Sequence, residues 1–349
     1  MKNYFTSQFA VLNKTNKPLL IKDLKIPKLK SNQVLVKIKY SFICGTQLKE
    51  IYGLKGVDKH LPHTLGHEAS GYVEDFGNNI SGLKIGDRVI LSWIKKKSSK
   101  VSKNPFYLDK KNKKKNSGLV STFSRYAVVS RDRVYKIPKN IPMDIAALLG
   151  CALPTGFGII LKFVKKILTN EYIGIYGVGG VGLMCVIALK LFGIKNIYAI
   201  DKNKKNLKVA RKFGCKNVFD EKKFNKKIVD KKIKRKQIMY NFEMSGNKKM
   251  MELAIKNLSS CGTAVLAGNL KKGDFVKLNP YDLIFGKKIF GFSANDVSLD
   301  KNLKYYLNLL KRVNHKKLRN IFKVYEFKNI NKAVIEFKKG KIFRPLIKF

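Results

Sequence analysis

The sequence predicts an α/β protein that joins a β-rich part to a doubly wound parallel sheet, and three observations predict it. Residues 1–150 hold short β-rich runs separated by Gly, Asn and Pro. Residues 154–290 alternate strand-like and helical runs, the pattern of βαβ units. A glycine turn with Gly177, Gly179 and Gly182 lies between the first strand and the first helix of that alternation. A length of 349 residues also favours two domains over one.

In order, LVKIKYSFI, SGYVEDFG, DRVILSW and SRYAVVS read as strands of the first part. The lysine-dense stretch Lys95–Lys115 reads as a solvated loop. The second part runs through the strands YIGIYG, IYAID and AVLAGN and the helices VGLMCVIALKLFG, NLKVARKFG and KKMMELAIKNL. The tail holds one helix near Leu303–Arg312, another near Ile330–Lys338, and a final strand, FRPLIKF. The expected boundaries are 1–153, 154–291 and 292–349, the tail returning to the first domain.

Composition excludes several classes. Hydrophobic residues make up 45%, too many for a disordered chain. No apolar run reaches the length of a membrane span, and the N-terminus reads without a signal peptide. Five cysteines, an odd number at wide spacing, argue against a disulfide framework and point to a reducing cytoplasm. The formal charge is +50. Only nine of the 73 basic residues are Arg, whose planar fork grips phosphate, and the Lys residues spread over the whole chain. The charge therefore reads as compositional drift, with weak, salt-sensitive attraction to polyanions and no specific nucleic-acid partner.

The glycine turn points to a dinucleotide. The first glycine makes the tight turn, the second lets backbone approach a pyrophosphate, and the third lets helix and strand pack closely. The helix N-terminus then offers free N–H groups to the phosphates. The next strand ends at Asp201, 19 residues after Gly182. An acid there accepts from ribose hydroxyls and repels a 2′-phosphate, which favours NAD over NADP. The alternative is that Asp201 simply caps the following helix. Lys202, Lys204 and Lys205 weaken the preference.

Cys44, His67 and Cys151 are each uninformative alone, since a lone Cys is usually a core residue. Together they match the ligand set of a catalytic zinc that keeps one position open. His60 and His63 read as loop residues, because that set already fills four positions with water or Glu68 as the last.

Over essentially its whole length the chain resembles the zinc-containing medium-chain alcohol dehydrogenases. GHEASGYVEDFGNNI, residues 66–80, matches the family signature at every fixed position. The resemblance implies a GroES-like β domain and a Rossmann domain with the active site in the cleft between them. It implies Cys44, His67 and Cys151 as zinc ligands and Glu68 as the acid that ligates when water leaves. Thr46 becomes the hydroxyl that hydrogen-bonds the substrate oxygen, and Trp93 lines the substrate pocket. Thr155 and Val181 fall at the nicotinamide, and Arg344 at the cofactor pyrophosphate. A homodimer or homotetramer acting on a small alcohol/aldehyde or polyol/ketone pair is also implied.

Departures from the family matter. Many members carry a structural zinc on four clustered cysteines after the Trp93 region, and that stretch here has none. One catalytic zinc and no structural zinc are expected. Gln47 stands where an Asp often supports the ligand His; its amide oxygen can accept from the imidazole but lacks the charge. Lys49 replaces a relay histidine, and its ordinary pKa of about 10 suits proton relay poorly. Two rivals remain: a zinc-free reductase on the same fold, and a polyanion-binding protein with a vestigial site. Among substrates, a secondary alcohol or polyol ranks before a glutathione-linked alcohol.

Overall fold

The computed structural model describes residues 5–96, 101–164, 171–224, 238–271, 273–293 and 296–349. The chain divides into two compact units. One comprises Met1–Pro154, Ser298–Leu307 and Asn314–Phe349; the other comprises Thr155–Val297 and Asn308–Val313. The first junction falls one residue from the expected one. The second differs more, because the end of the helix Leu299–Lys311 and the turn after it stay with the parallel sheet. There Leu309 and Leu310 are buried, and Arg312 donates to the Leu191 carbonyl at 3.2 Å.

The first unit is built on a sheet ordered Val134–Lys136, Arg88–Ser92, Glu68–Phe76, Gln33–Phe42, Arg344–Lys348 and Phe322–Glu326, with Tyr126–Ser130 also pairing to Gln33–Phe42. The strand Gln33–Phe42 shows why alternation decides the packing. Val34, Val36 and Ile38 face one core with Ala69, Val73, Val89 and Leu91, whereas Leu35 faces another with Phe9, Val11 and Tyr107. The final strand pairs antiparallel to it through Leu346 and Phe42, so the last strand belongs to this sheet.

A closed barrel of Thr6–Leu12, Leu20–Lys25, Phe106–Leu108, Lys114–Asn116 and His63–Thr64 flanks the sheet. This corrects the reading of Lys95–Lys115 as a solvated loop. Residues 97–100 lie outside the described residues, but 106–116 form a hairpin. Tyr107 is fully buried and its hydroxyl accepts from the Val128 N–H at 3.0 Å. Lys115 is buried too, its ammonium 3.0 Å from Asp109. Asp109 also takes the N–H groups of Lys111 and Lys113, which fixes the turn. Charge density hid an apolar Phe-Tyr-Leu strand and an acid that neutralises its neighbours.

The second unit is a six-stranded sheet in the order Asn217–Asp220, Ile197–Asp201, Tyr172–Tyr176, Ile238–Glu243, Thr263–Leu266 and Lys288–Gly291. All its neighbouring strands are parallel. Asparagines cap three of its helices: Asn203 before Lys204–Lys212, Asn247 before Lys248–Lys256 and Asn279 before Pro280–Ile284. The helix Ala152–Phe163 lies close against Gly180–Leu191 because Gly156 has no side chain; a Cβ there would meet Met184 Cβ at 2.6 Å. Buried Lys287 donates to the last carbonyls of Lys248–Lys256, at Ile255 (3.3 Å) and Lys256 (3.1 Å), and pairs with Asp282 at 2.8 Å. Among the described residues no single helix is long and apolar enough to cross a membrane.

Candidate active site and metal centre

Three separate stretches of the first unit bring Cys44, His67 and Cys151 together. Cys44 is extended and stands between the strand Gln33–Phe42 and the helix Gly45–Ile51. His67 directly precedes the strand Glu68–Phe76, after Gly66, whose φ is +104°. A Cβ on Gly66 would lie 2.3 Å from Thr122 Oγ1, so only glycine lets the chain turn there. Cys151 follows the 3-10 turn Ala147–Gly150. Gly150 presses on the sheet, since its Cβ would lie 2.5 Å from the Leu91 carbonyl oxygen. The two sulfurs and a ring nitrogen end within 4.8 Å of one another.

The chemistry of this set suits a thiophilic divalent cation. His67 Nε2 is buried without a hydrogen-bond partner. An orphaned imidazole nitrogen is costly unless something accepts its lone pair. A hydrogen bond from Cys151 holds the Cys44 pKa well below the ordinary thiol value, against the opposing effect of burial. The same shared proton, with burial, pushes Cys151 up. Burial disfavours an imidazolium at His67, but the Cys44 sulfur and its charge outweigh it and raise that pKa. The two sulfurs thus share a proton that a divalent ion would replace. Cys44, His67 and Cys151 are three ligands of the kind that hold a catalytic zinc with one position open.

Glu68 is fully buried, which pushes its pKa up to about 7 although Arg344 opposes the shift. The resemblance assigns Arg344 to the cofactor pyrophosphate; in the structure Arg344 pairs with Glu68. Its guanidinium is 4% exposed, donates to Glu68 and lies over the Phe42 ring at 4.8 Å. Arg344 is the cation that compensates the buried Glu68 carboxylate. Gln47 also differs from expectation. With its amide oriented to satisfy both ends, its oxygen accepts from the backbone N–H of Gly66 at 2.7 Å and of His67 at 3.3 Å. It holds the ligand's main chain rather than its ring. Thr46 is half-buried in the first turn of the helix after Cys44, with Lys49 one turn further on. Trp93 is half-exposed, its ring 6.5 Å from the His67 ring. His63, read from sequence as a loop residue, is instead buried in the strand His63–Thr64.

In the second unit the three glycines divide their work as the motif predicts. Gly177 has φ +89°, and Gly182 lies so close to it that a Cβ would stand 2.1 Å from its carbonyl oxygen. Gly179 opens on free space, with nothing within 4 Å of where a Cβ would be. That space lies at the N-terminus of Gly180–Leu191, where backbone N–H groups suit a phosphate. Val181 and Thr155 are half-buried, one in that helix's first turn and the other in Ala152–Phe163. Asp201 ends its strand and accepts from the N–H of Val178 at 2.8 Å and of Asn203 at 2.7 Å. Asn203, not Asp201, caps the next helix. Sequence reasoning missed Glu243, which holds the N–H of Ser245 at 2.7 Å and of Gly246 at 3.0 Å. Ser245 in turn packs on the Gly177 turn, 2.7 Å from where a Cβ would be. No sequence fingerprint marks this support.

Two family models match the chain: an alcohol dehydrogenase GroES-like domain over residues 30–139 and a zinc-binding dehydrogenase domain over 180–312. The chain is 29% identical to alcohol dehydrogenase-like 1 of Arabidopsis thaliana, across 98% of this chain and 95% of that one. It is 30% identical to the class-3 alcohol dehydrogenase of Pisum sativum, across 81% of each. The benzyl alcohol dehydrogenase of Acinetobacter calcoaceticus shares the fold, with a TM-score of 0.86, 24% identity and 99% of each chain covered. The units described above are accordingly a GroES-like β-rich domain and a Rossmann domain.

Proposed function

The chain belongs to the zinc-containing medium-chain alcohol dehydrogenase family, and from that premise we propose that it moves a hydride between a primary or secondary alcohol, or a polyol, and NAD. It is an oxidoreductase acting on CH–OH groups of small molecules. The observation that carries the mechanism is the convergence of two sulfurs and a ring nitrogen of His67, whose Nε2 is buried without a partner. Cys44, His67 and Cys151 hold one zinc per chain. A bound zinc supplies Lewis acidity that eases loss of the alcohol proton and, in reverse, polarises the carbonyl.

Thr46 Oγ1 takes the alcohol proton and passes it outward. Glu68, neutralised by Arg344, stands beside the ligands as a carboxylate in reserve. Gly177, Gly179 and Gly182 receive the pyrophosphate, Asp201 the adenosine ribose, and Thr155 and Val181 the nicotinamide end. A bound nicotinamide would supply the hydride acceptor, and the protein's part would be to align it. Trp93 borders the substrate pocket, and a secondary alcohol or polyol ranks first among substrates. The hairpin 106–116 holds no cysteine, which supports the absence of a structural zinc on four thiolates. Five free cysteines support a cytoplasmic location.

A homodimer is part of the proposal. Lys288–Gly291 is the outermost strand of the parallel sheet, and Phe275, Tyr281, Ile284, Phe285 and Phe290 stand exposed on or near it. An open strand edge beside exposed aromatic side chains suits a second copy of the chain.

An NADH-absorbance screen of alcohols, polyols and aldehydes with zinc-loaded protein tests the activity. Turnover on an alcohol with NAD, lost together with zinc in Cys44→Ser, is the expected result. Undiminished turnover by zinc-free Cys44→Ser would refute it and favour the zinc-free reductase.

A further inference from the structure

A second cluster of metal-ligating side chains lies outside the thiolate set. Glu50, Asp58 and His63 each offer one oxygen or nitrogen, and these three atoms lie within 4.8 Å of one another. His63 is 6% exposed, and its short strand is pinned on both sides, by Leu12 and by Asn116. Its Nδ1 lies 3.2 Å from the Thr64 carbonyl oxygen and its Nε2 2.7 Å from Asp58 Oδ2. A carbonyl can only accept, so Nδ1 carries a hydrogen. Nε2 then faces a carboxylate oxygen, which also only accepts. Two acceptors at that separation require a positive centre between them, either a proton on Nε2 or a metal ion. A ring N–H on a backbone carbonyl is the usual support of a metal-ligating histidine, and the other nitrogen here faces a carboxylate.

The two carboxylates fit the same reading. Asp58 is fixed by the His60 N–H, which donates to Oδ1 at 2.9 Å and leaves Oδ2 toward His63. Glu50 Oε2 is paired with the Lys55 ammonium at 3.0 Å, and both side chains are partly exposed. An ion pair of that kind contributes about 1 kcal/mol or less, so a divalent ion displaces the ammonium at small cost. Ligand bonds of about 2.0–2.2 Å require His63 and Asp58 to open by only about half an ångström.

We propose that Glu50, Asp58 and His63 form a second divalent-cation site, distinct from the thiolate site, that takes a borderline ion such as zinc or cobalt with water completing the coordination. It stands independently of the hydride chemistry and of the four-cysteine site that the sequence excludes.

Cobalt separates the two sites by chemistry, because only thiolate ligands give an intense sulfur-to-cobalt charge-transfer band in the near ultraviolet. Metal-free protein is titrated with Co²⁺, with bound metal measured by equilibrium dialysis and the spectrum recorded throughout. Two equivalents bind, one with the band and one without. His63→Gln and Asp58→Asn each lose the equivalent without the band and keep the other; Cys44→Ser does the reverse. Saturation of the unsubstituted protein at one equivalent carrying the band overturns the proposal whether or not any variant folds. Retention of both equivalents by His63→Gln and Asp58→Asn overturns it too. A second equivalent that depends on His63, with no charge-transfer band at any loading, supports this site and refutes the thiolate one.

Discussion

Removing the Arg344 guanidinium tests how the buried carboxylate beside the ligands is held. Glu68 has zero exposure and two visible partners, Arg344 and the Ala152 N–H at 3.4 Å. Arg344→Met leaves Glu68 with only that long contact and also removes a cation from the Phe42 face. Breaking a buried pair on one side costs about 3–5 kcal/mol. At about 1.4 kcal/mol per factor of ten, the folded-to-unfolded ratio falls by roughly two to three and a half orders of magnitude. Glu68→Gln is also destabilising, because it leaves Arg344 without its counter-charge. The double variant loses less than the sum of the two, by about 2 kcal/mol or more, because neither charge remains to be compensated. Urea unfolding at fixed zinc content measures this through Trp93, the only tryptophan, which lies in the same unit. A loss below about 1 kcal/mol in Arg344→Met, or strict additivity in the double variant, would refute the assignment.

Further outcomes follow from other parts of the molecule. Asp201→Gly raises the NADP-to-NAD ratio of kcat/KM by about tenfold or more, and costs about 1–2 kcal/mol because the Val178 and Asn203 N–H groups lose their acceptor; an unchanged ratio in steady-state kinetics rules out Asp201 as the selector. Lys287→Met strips the end of Lys248–Lys256 and costs about 2 kcal/mol, read as a lower thermal midpoint; an unshifted midpoint would show that the cap contributes nothing. Burial pushes the Asp144 carboxyl up, but its hydrogen bond and ion pair with Arg319 outweigh that and hold it below the usual 3.8. A depressed folded-state pKa means that the bridge stabilises above about pH 4 and fades as pH falls through that lower value. Half-exposed Arg319→Gln therefore costs about 0.5–1 kcal/mol near neutrality and progressively less below pH 4, and a loss independent of pH contradicts the bridge. If the proposed dimer forms, Phe285→Glu with Ile284→Asp turns it into a monomer by light scattering, and a monomeric parent protein would remove the dimer from the account.

How much of the molecule is legible in the sequence depends on how locally each feature is encoded. The glycine turn is contiguous, and each glycine's task follows from its offset, so the roles of Gly177, Gly179 and Gly182 can be read from spacing alone. The sequence also places a helix near Ile330–Lys338, where the structure has one. Cys44, His67 and Cys151 span more than 100 residues, and only the family resemblance joins them. What escapes the sequence is non-local or masked by charge. Arg344 and Glu68 lie 276 residues apart, and nothing in either neighbourhood announces the pair. The hairpin around Tyr107 is hidden because five lysines in Lys110–Lys115 outweigh three apolar residues in any window average. His63 reads like one more loop histidine because its burial comes from pairing with Leu12 and Asn116, far from it in sequence.

X-ray absorption at the zinc edge, on protein loaded with one equivalent, tests the thiolate site most directly. Two sulfur neighbours near 2.3 Å and lighter neighbours near 2.0–2.1 Å are the result that the Cys44, His67 and Cys151 assignment predicts. A first shell of nitrogen and oxygen alone would contradict it, because the two cysteines would then not be ligands.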